Sequence, residues 1–567
     1  MPNRKFMKSN SIISLACFLT IVTFSSIQFS CNKGQQLTIL PDSLKVSFPL
    51  LNFQHNQYYT LDHDVRSIEL VLNQKIQEET VAGNLDFSDK NGSLSANYDL
   101  VVDGSIIFIR LHPGFYLADG WKYELTILTG LKSVEGNTVV VEKSYQFRTT
   151  SKHLSDLTVS GTSGDSLQRT LIACISDIHC GDQRANDQHY SWFAKNAGAL
   201  EDFLIYVKNN PRIKELVILG DLFDEWMVPY FVAPFDSLIN IKNSGDYFKA
   251  IANSTVNKPI FNQINEIISS GEVEVVYVPG NHDMLITEAL LNEIIPGISW
   301  QGQVSGLGKY NPVPEIAMEH GHRYDFFNCP QPLVNDGHII PPGYFVTRLY
   351  AAGLANTSSR VKNQQKPSDD AFEFITAWSV AFGYTLAHFN MDADTIQMDS
   401  SKVQMSGVDG YATPMSFNGA RDLYAANIEA NWLSTQQINQ VPVPSDVFLA
   451  ILNGTYLYGA ALFEYLTDYL APDQPKVVAF GHSHEPDIKV FPLEDYYTGI
   501  YANSGSWIDP DQSNYRTRTF LVINPGNWSG SDLDVVSLYQ YNLNSDQGGQ
   551  NQTWRPVLIK EESIEKE

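Results

Sequence analysis

The chain has 567 residues, 43% of them hydrophobic and 12% aromatic, enough to bury a substantial core and to form two domains or more. Its formal net charge is −25 at pH 7, a field that repels polyanions except where local cations reverse it, which argues against long nucleic acid as a partner. Beyond the first 30 residues no apolar run approaches the length needed to span a bilayer.

Residues 1–30 read as an export signal: Arg4, Lys5 and Lys8 are basic, 12–22 is largely apolar, and small residues lead to Cys31. The stretch SSIQFSC at 25–31 resembles a loose bacterial lipobox, with Gln28 where an aliphatic residue is usual. The expectation is a lipid on Cys31 and a periplasmic or cell-surface location, with the membrane touched through that anchor only; ordinary secretion and an uncleaved anchor are the alternatives. The signal carries three positive and no negative side chains, so its removal leaves −28. Cys17 would leave with it. Cys174, Cys180 and Cys329 are then too few for a disulfide framework.

Residues 36–150 read as an all-β sandwich. The runs LKVSF (44–48), SIELVL (67–72), SIIFIRL (105–111), KYELTIL (122–128), TVVVE (138–142) and SYQFRT (144–149) are separated by Asp, Asn and Gly turns. The stretch HPGFYLADGWKYELTILTGLKSVEGNTVV, closing with YQFRTT, resembles the bacterial Ig-like modules that precede many exported enzymes, which implies a spacing or docking role. Tyr58, Tyr59, Phe115 and Trp121 could offer stacking faces to a glycan, although aromatics in a sandwich more often fill its core.

Residues 168–545 carry the chemistry. LIACIS (171–176), LVILG (216–220), VEVVYVPG (273–280) and KVVAFG (476–481) are β-branched-rich runs that read as buried strands. Helices are expected between them at 190–209 and 246–270, giving βαβ units. Apolar runs end in SDIHCGD (176–182), GDLFDEW (220–226), GNHD (280–283), EHGHRYD (319–325) and GHSHEP (481–486). Polar residues at the carboxyl ends of strands lie where open α/β sheets bind ligands. Asp177, His179, Asp221, Asn281, His320, His482 and His484 form an oxygen and imidazole set suited to two divalent metals. Cys180 lies inside the first motif, but that set is complete without a thiolate, which suits softer metals.

Taken in order, D-x-H, G-D, G-N-H-D, H and G-H-x-H resemble the pattern of the calcineurin-like metallophosphoesterases, over roughly 169–524. The resemblance implies an α/β fold, a four-layer sandwich of two mixed β-sheets flanked by helices. It implies two divalent ions, of Mn, Fe, Zn or Ni, with Asp177, His179 and His484 at one, Asn281, His320 and His482 at the other, and Asp221 bridging. It also implies hydrolysis of a phosphomonoester, phosphodiester or pyrophosphate by in-line attack of a hydroxide shared by the metals. His282 would face the leaving group and Asp283 would accept that imidazole's other N–H. Asp182, Asp224 and Glu225 would orient ligands. Arg184, His322 and Arg323 are candidate substrate contacts, each Arg being equally able to pair with a carboxylate. His189, His338 and His388 read as structural.

The run GDLFDEW, VPGNHD and HGHRYD is similar to the UDP-2,3-diacylglucosamine pyrophosphohydrolases, which are short and face the cytoplasm. A nucleotide sugar or lipid-linked pyrophosphate is therefore an alternative substrate within the class of small phosphorylated molecules. An adhesive or glycan-binding lipoprotein with a structural metal site is the alternative of another class.

The long stretch 326–473 is expected to form a helical insertion or lid that selects a bulky leaving group. Apolar residues recur at three- and four-residue steps at 341–354, 370–389, 419–433 and 446–470. Its Tyr and Phe content would suit a sugar, nucleoside or acyl group, or a plain helical core. Asn503 and Ser504, in YANSGSWIDP (501–510), would shape the site. Closing strands are expected at 519–523 and 535–541. Residues 546–567 read as a C-terminal extension with a last strand at 554–559 and a solvated tail, KEESIEKE.

Overall fold

The computed structural model describes residues 43–150 except 52, 55–57, 63–64, 119–120 and 140, then 169–355, and 397–565 except 455–456, 467–474, 494–496, 512 and 546–551. The segment read as an export signal with Cys17 and Cys31, the helix expected at 370–389 and His388 lie outside the described residues. Among the described residues no helix is long and apolar enough to cross a membrane.

The N-terminal region is built from two sheets that share one core. Strands Val46–Ser47, Ser67–Leu72, Ile106–Leu111 and Tyr98–Asp103 form one; Phe53–Gln54, Tyr58–Leu61, Lys143–Thr149, Lys122–Ile127, Leu85–Asp89 and Gly92–Ser93 form the other. Alternation does the sorting: Ile68, Leu70 and Leu72 of one strand meet Tyr123, Leu125 and Ile127 of another, with Phe87 and Phe147 between. The run 138–142 is not a strand in its described residues; Thr138 makes an isolated bridge to Lys132, and Val139 buries alone while Val141 faces solvent. Tyr58 lies in the core under the Arg148 guanidinium, 4.2 Å from its ring, and Tyr59 packs on Phe48, Phe53 and Phe147. Phe115 and Trp121 pack against the same core, half-buried.

The second region rests on a seven-stranded sheet in the order Ser299–Trp300, Glu274–Val278, Ile213–Leu219, Leu171–Ile175, Thr519–Asn524, Leu533–Ser545, Gln552–Glu565. Its first four strands are parallel and the rest antiparallel. A four-stranded sheet, Ile316–Glu319, Val477–Phe480, Tyr497–Asn503 and Asp487–Leu493, lies against it. Ile172, Cys174, Val217, Leu219, Val276 and Val278 point from the larger sheet onto Ile316, Met318, Val477, Ala479 and Ile500 of the smaller. The alternate residues Leu171, Ala173 and Ile175 turn outward onto helices Ala197–Asn209 and Lys258–Ser270. Both faces are thus apolar, which is why these strands read as continuous hydrophobic runs.

Two helices differ from the sequence reading. The segment 190–196 is not helical, because Asp509 accepts the backbone N–H groups of Lys195 and Asn196, and the Asn196 amide donates to the carbonyls of Trp507 and Ile508. The expected helix at 246–270 is two, Ser244–Ala252 and Lys258–Ser270. Between them the buried Asn257 amide donates to the carbonyls of Gly181 and Ile251, and a proline opens the second helix.

The described part of the insertion shares its core with both sheets. Its described helices, Pro342–Leu354, Phe417–Ile438, Val447–Asn453, Leu457–Ala461 and the π-turn Leu462–Leu466, bury Tyr344, Phe345, Leu349, Phe417 and Tyr424 in the same core as the outer face of the large sheet. Others, Leu457, Ala461 and Tyr465, cover Val478, Phe480 and Tyr501 of the smaller sheet. Arg348, fully buried, donates to the carbonyls of Val228, Pro229 and Val232 in the loop after GDLFDEW and to Gln404 within the insertion.

The chain's last part also departs from the expectation. Gln552–Glu565 pairs along Leu533–Ser545 as the edge strand of the large sheet, so the tail read at 560–567 is sheet through Glu565, with Ile564 buried. Arg148 of the N-terminal region donates to the Ser563 carbonyl and pairs with Glu565, which also meets Lys122. Replacing Arg348 by Met should leave those carbonyls without donors and lower the unfolding free energy by about 3 kcal/mol. Urea unfolding of the variant against the parent measures this; an unchanged midpoint would show the insertion to be an independent cover.

Candidate metal centre

Every expected ligand stands at the carboxyl end of a parallel strand. Asp177 and His179 follow Leu171–Ile175, Asp221 follows Ile213–Leu219, Asn281 follows Glu274–Val278, His320 follows Ile316–Glu319, and His482 and His484 follow Val477–Phe480. Asp177, His179, Asp221, His482 and His484 all have φ between 52° and 68°, a conformation costly for residues with a Cβ and one that accumulates at functional sites. Two glycines permit the strand ends to close on one another. A Cβ on Gly280 would stand 2.2 Å from Asp221 Oδ1, and one on Gly481 would stand 2.8 Å from Asp177 Oδ2.

The side chains turn acceptor toward acceptor. His320 Nδ1 lies 2.7 Å from the Leu219 carbonyl, to which it donates, so the neutral ring presents its Nε2 lone pair to Asn281 Oδ1 at 3.0 Å and Asp221 Oδ2 at 3.3 Å. His179 Nδ1 donates to Asp224 Oδ2 at 3.1 Å, which leaves its Nε2 facing His484 Nε2 at 3.1 Å and Asp221 Oδ2 at 3.7 Å. Asp177 Oδ1, buried and without a hydrogen bond among the described residues, lies 3.2 Å from His484 Nε2. Such a convergence of lone pairs needs a cation or an added proton. Burial lowers the His320 pKa, but the Asp221 and Asp177 carboxylates outweigh it and push it up to about 10, the mark of a place that favours positive charge. Burial likewise opposes charge on Asp221, yet His320 and His282 hold that carboxyl well below its usual range. Asp177, His179 and His484, and Asp177, Asp221 and His320, each bring ligand atoms within 4.8 Å of one another. This donor set fits hard or borderline divalent ions such as Mn, Fe, Zn or Ni.

His482 stands slightly apart. Its ring packs on His320 with centroids 5.1 Å apart, its backbone N–H donates to Asp177 Oδ2, and its Nε2 is 3.0 Å from Asp325 Oδ2. Nδ1 is the nitrogen left to ligate.

The partner of His282 is not the one expected. Its Nδ1 lies 2.8 Å from Asp224 Oδ1, so one carboxylate holds both His282 and His179. Asp283 is turned away into the loop, where it accepts from the N–H groups of Gly280, Leu222 and Phe223 and from the Tyr277 hydroxyl. Burial and the neighbouring Asp221 push its pKa up to about 6. The reason is geometric: strand Glu274–Val278 lies beside Ile213–Leu219, so the loop after one reaches the loop after the other more readily than its own next residue does. His282 is further pinned by Trp226, stacked at 4.6 Å.

The candidate substrate contacts separate. Arg184 pairs with Asp182 and donates to the Ala233 and Pro234 carbonyls; Arg323 is buried against Glu319, Glu464 and the Gln440 carbonyl. Both guanidiniums are thus spent on structure. His322 is buried beside His320 and His482 with neither ring nitrogen hydrogen-bonded among the described residues. Asp182 caps helix Gln183–Asp187. Asn503 donates to the Gly481 carbonyl, and the Ser504 and Ser176 hydroxyls share a bond at 2.6 Å, tying the end of strand Tyr497–Asn503 to two ligand loops. Cys174, Cys180 and Cys329 are free and buried. His189 is exposed in a turn, and His338 stacks on Tyr411. Asp325 and Trp226 close the motifs EHGHRYD and GDLFDEW without a role assigned to them from the sequence, and Trp192 carries no ligand pattern and approaches the site only through the fold.

Two measurements follow from this geometry. Asp224→Asn should lower kcat roughly tenfold to a hundredfold by freeing His282 and His179, whereas Asp283→Asn should chiefly lower Tm; equal kinetic losses would return the orienting role to Asp283. Glu225 is buried with Oε1 bonded to the Ser244 hydroxyl and Oε2 unpartnered, and burial with Asp409 and Asp224 nearby pushes its pKa up to about 8. The folded state therefore holds this proton more tightly than the unfolded chain. Its stabilisation is full below pH about 4.5 and is lost as pH rises to about 8. Glu225→Gln should flatten the decline in unfolding free energy over that window by roughly 5 kcal/mol at most, and parallel curves for the two proteins would refute it.

No curated protein matches the chain. Among solved structures, surface layer protein SbsC (domains 1–6) aligns at 12% identity over 31% of this chain and 19% of that chain, with a TM-score of 0.15. CopC from Methylosinus trichosporium OB3b aligns at 14% identity over 17% of this chain and 86% of that one, TM-score 0.13. Chitinase ChiW from Paenibacillus sp. str. FPU-7 aligns at 10% identity over 46% and 27%, TM-score 0.16. The chain spans less than a third of the S-layer chains it matches, and TM-scores this low establish no common fold. The calcineurin-like phosphoesterase family model matches residues 170–486, more than half of the chain and the whole run of ligand-bearing strand ends. The chain belongs to the calcineurin-like phosphoesterase family.

Proposed function

We propose that this protein is an exported, lipid-anchored hydrolase of phosphomonoesters, phosphodiesters or pyrophosphates that works with two divalent metals. The observation that carries the reading is the buried convergence of acceptor atoms, Asp177 Oδ1, Asp221 Oδ2, Asn281 Oδ1 and the Nε2 atoms of His179, His320 and His484. Asp177, His179 and His484 would hold one ion and Asn281, His320 and His482 the other, with Asp221 between them. When bound, the cations would supply charge to the phosphoryl oxygens and make the attacking water acidic.

The remaining work belongs to the side chains. Asp224 fixes the imidazole of His282 through Nδ1, so Nε2 is the nitrogen that can give a proton to the leaving oxygen. Trp226 on one side and the edge of His179 on the other, with centroids 4.6 and 4.5 Å away, restrain that ring. Burial keeps bulk water from screening these charges. In this reading the catalytic region is the four-layer sandwich of the family, and residues 36–150 are an Ig-like sandwich acting as a spacer.

The test is metal content by mass spectrometry, together with hydrolysis of bis-p-nitrophenyl phosphate, p-nitrophenyl phosphate and a nucleotide sugar, before and after chelation. About two metals per chain and activity restored by Mn or Zn are expected. Asp221→Asn should lose metal and at least a hundredfold in kcat; a wild-type rate in that variant would sink the assignment. Preference for the nucleotide sugar would move the substrate to a pyrophosphate.

A further inference from the structure

The centre is not equally closed on all sides. The Asp177, His179, Asp221 and His320 side chains are essentially inaccessible, while His282 is 8% and His484 18% exposed. His484 is the most exposed, ahead of His282 and of His482 at 6%, so the widest opening lies on its side. The half-buried indole of Trp192 stands on that side, 5.6 Å from the His484 ring, 6.1 Å from His282 and 4.6 Å from His179, measured between centroids. Its indole N–H is buried and has no partner among the described residues. Behind it, Tyr350 of helix Pro342–Leu354 packs at 5.3 Å.

Trp192 is held by its backbone, whose carbonyl accepts the Asp509 N–H, and not by hydrogen bonding of its ring. Asp509 also accepts from Lys195 and Asn196, the bonds that keep 190–196 out of a helix. Held in this way, the half-buried Trp192 rests on the cluster of Ala185, Tyr190, Met227 and Ala351 with Tyr350 of the insertion against it, and reaches the rings of His179, His282 and His484.

We infer that Trp192, backed by Tyr350, is a specificity-determining residue that stacks on a planar aromatic group of the substrate's leaving portion, aryl or nucleobase. The inference rests on the phosphoesterase reading and extends it to substrate class. A departing oxygen protonated by His282 carries its substituent past the ring next to His282 on the open side, and that ring is Trp192. Stacking on such a face is sequence-blind and depends on planarity, so an apolar but non-planar group should gain much less.

The experiment uses the full metal-loaded chain, with Trp192→Phe and Trp192→Leu. Calorimetry with inorganic phosphate, methylphosphonate, cyclohexylphosphonate and phenylphosphonate separates the phosphoryl contact from the ring contact without turnover. The parent and the Phe variant should bind phenylphosphonate roughly tenfold more tightly than methylphosphonate, with cyclohexylphosphonate near methylphosphonate. Trp192→Leu should lose that margin and keep its affinity for inorganic phosphate. Comparing KM for AMP and ribose 5-phosphate in the same proteins distinguishes a nucleobase from a simple aryl group. A margin that survives in the Leu variant, or is absent from the parent while phosphate binds, overturns the inference. Failure of phosphate to bind any of the three overturns the phosphoesterase reading beneath it.

Discussion

The structure around the centre is organised by a repulsion. Carboxylate oxygens, an amide carbonyl and imidazole lone pairs are pressed together at the ends of the strands, and the surrounding fold must hold them there. The Leu219 carbonyl fixes the tautomer of His320, Asp224 that of His179, and Asp325 takes one nitrogen of His482. The first two bonds aim a lone pair inward, and the third holds the His482 ring beside His320. Two sheets are needed because a single set of parallel strands would present its ends in a row; the smaller sheet brings His320, His482 and His484 over the carboxylates of the larger.

The cost of that arrangement is visible in the backbone. Ligand residues sit at positive φ, the intervening glycines have no room for a Cβ, and a seven-stranded sheet with apolar faces on both sides supplies the stability that offsets the strain. The insertion adds to this support. By passing its N–H groups to the carbonyls behind GDLFDEW, Arg348 fixes the segment that carries Asp224 and Trp226, and so acts on the centre from a distance.

What could be read from the sequence was whatever chemistry forces on residue type. Metal ligands must be Asp, Asn or His, they sit after apolar runs, and the runs are apolar throughout because both sheet faces are buried. Choices between equivalent groups were not legible. Asp224 and Asp283 are both carboxylates near His282, and only strand adjacency decides that the one distant in sequence makes the bond. The helix expected at 190–209 loses its first turns to Asp509, a residue more than 300 positions away. The edge strand Gln552–Glu565 carries many charges because one side of it faces solvent, and charge is what made it look like a tail. Arg184 and Arg323 looked available for phosphate because a sequence shows a cation and not its partners.

The topology also bears on the order in which the molecule can assemble. Leu171–Ile175, Ile213–Leu219 and Glu274–Val278 are joined by helices and can associate early, whereas Ile316–Glu319 pairs with Val477–Phe480 across a loop of about 160 residues, a closure that must wait for the insertion to fold. His482 and His484 lie just beyond that late pairing. The nascent chain thus carries an incomplete ligand set until this pairing forms, so metal capture becomes a kinetic marker of the smaller sheet closing over the larger.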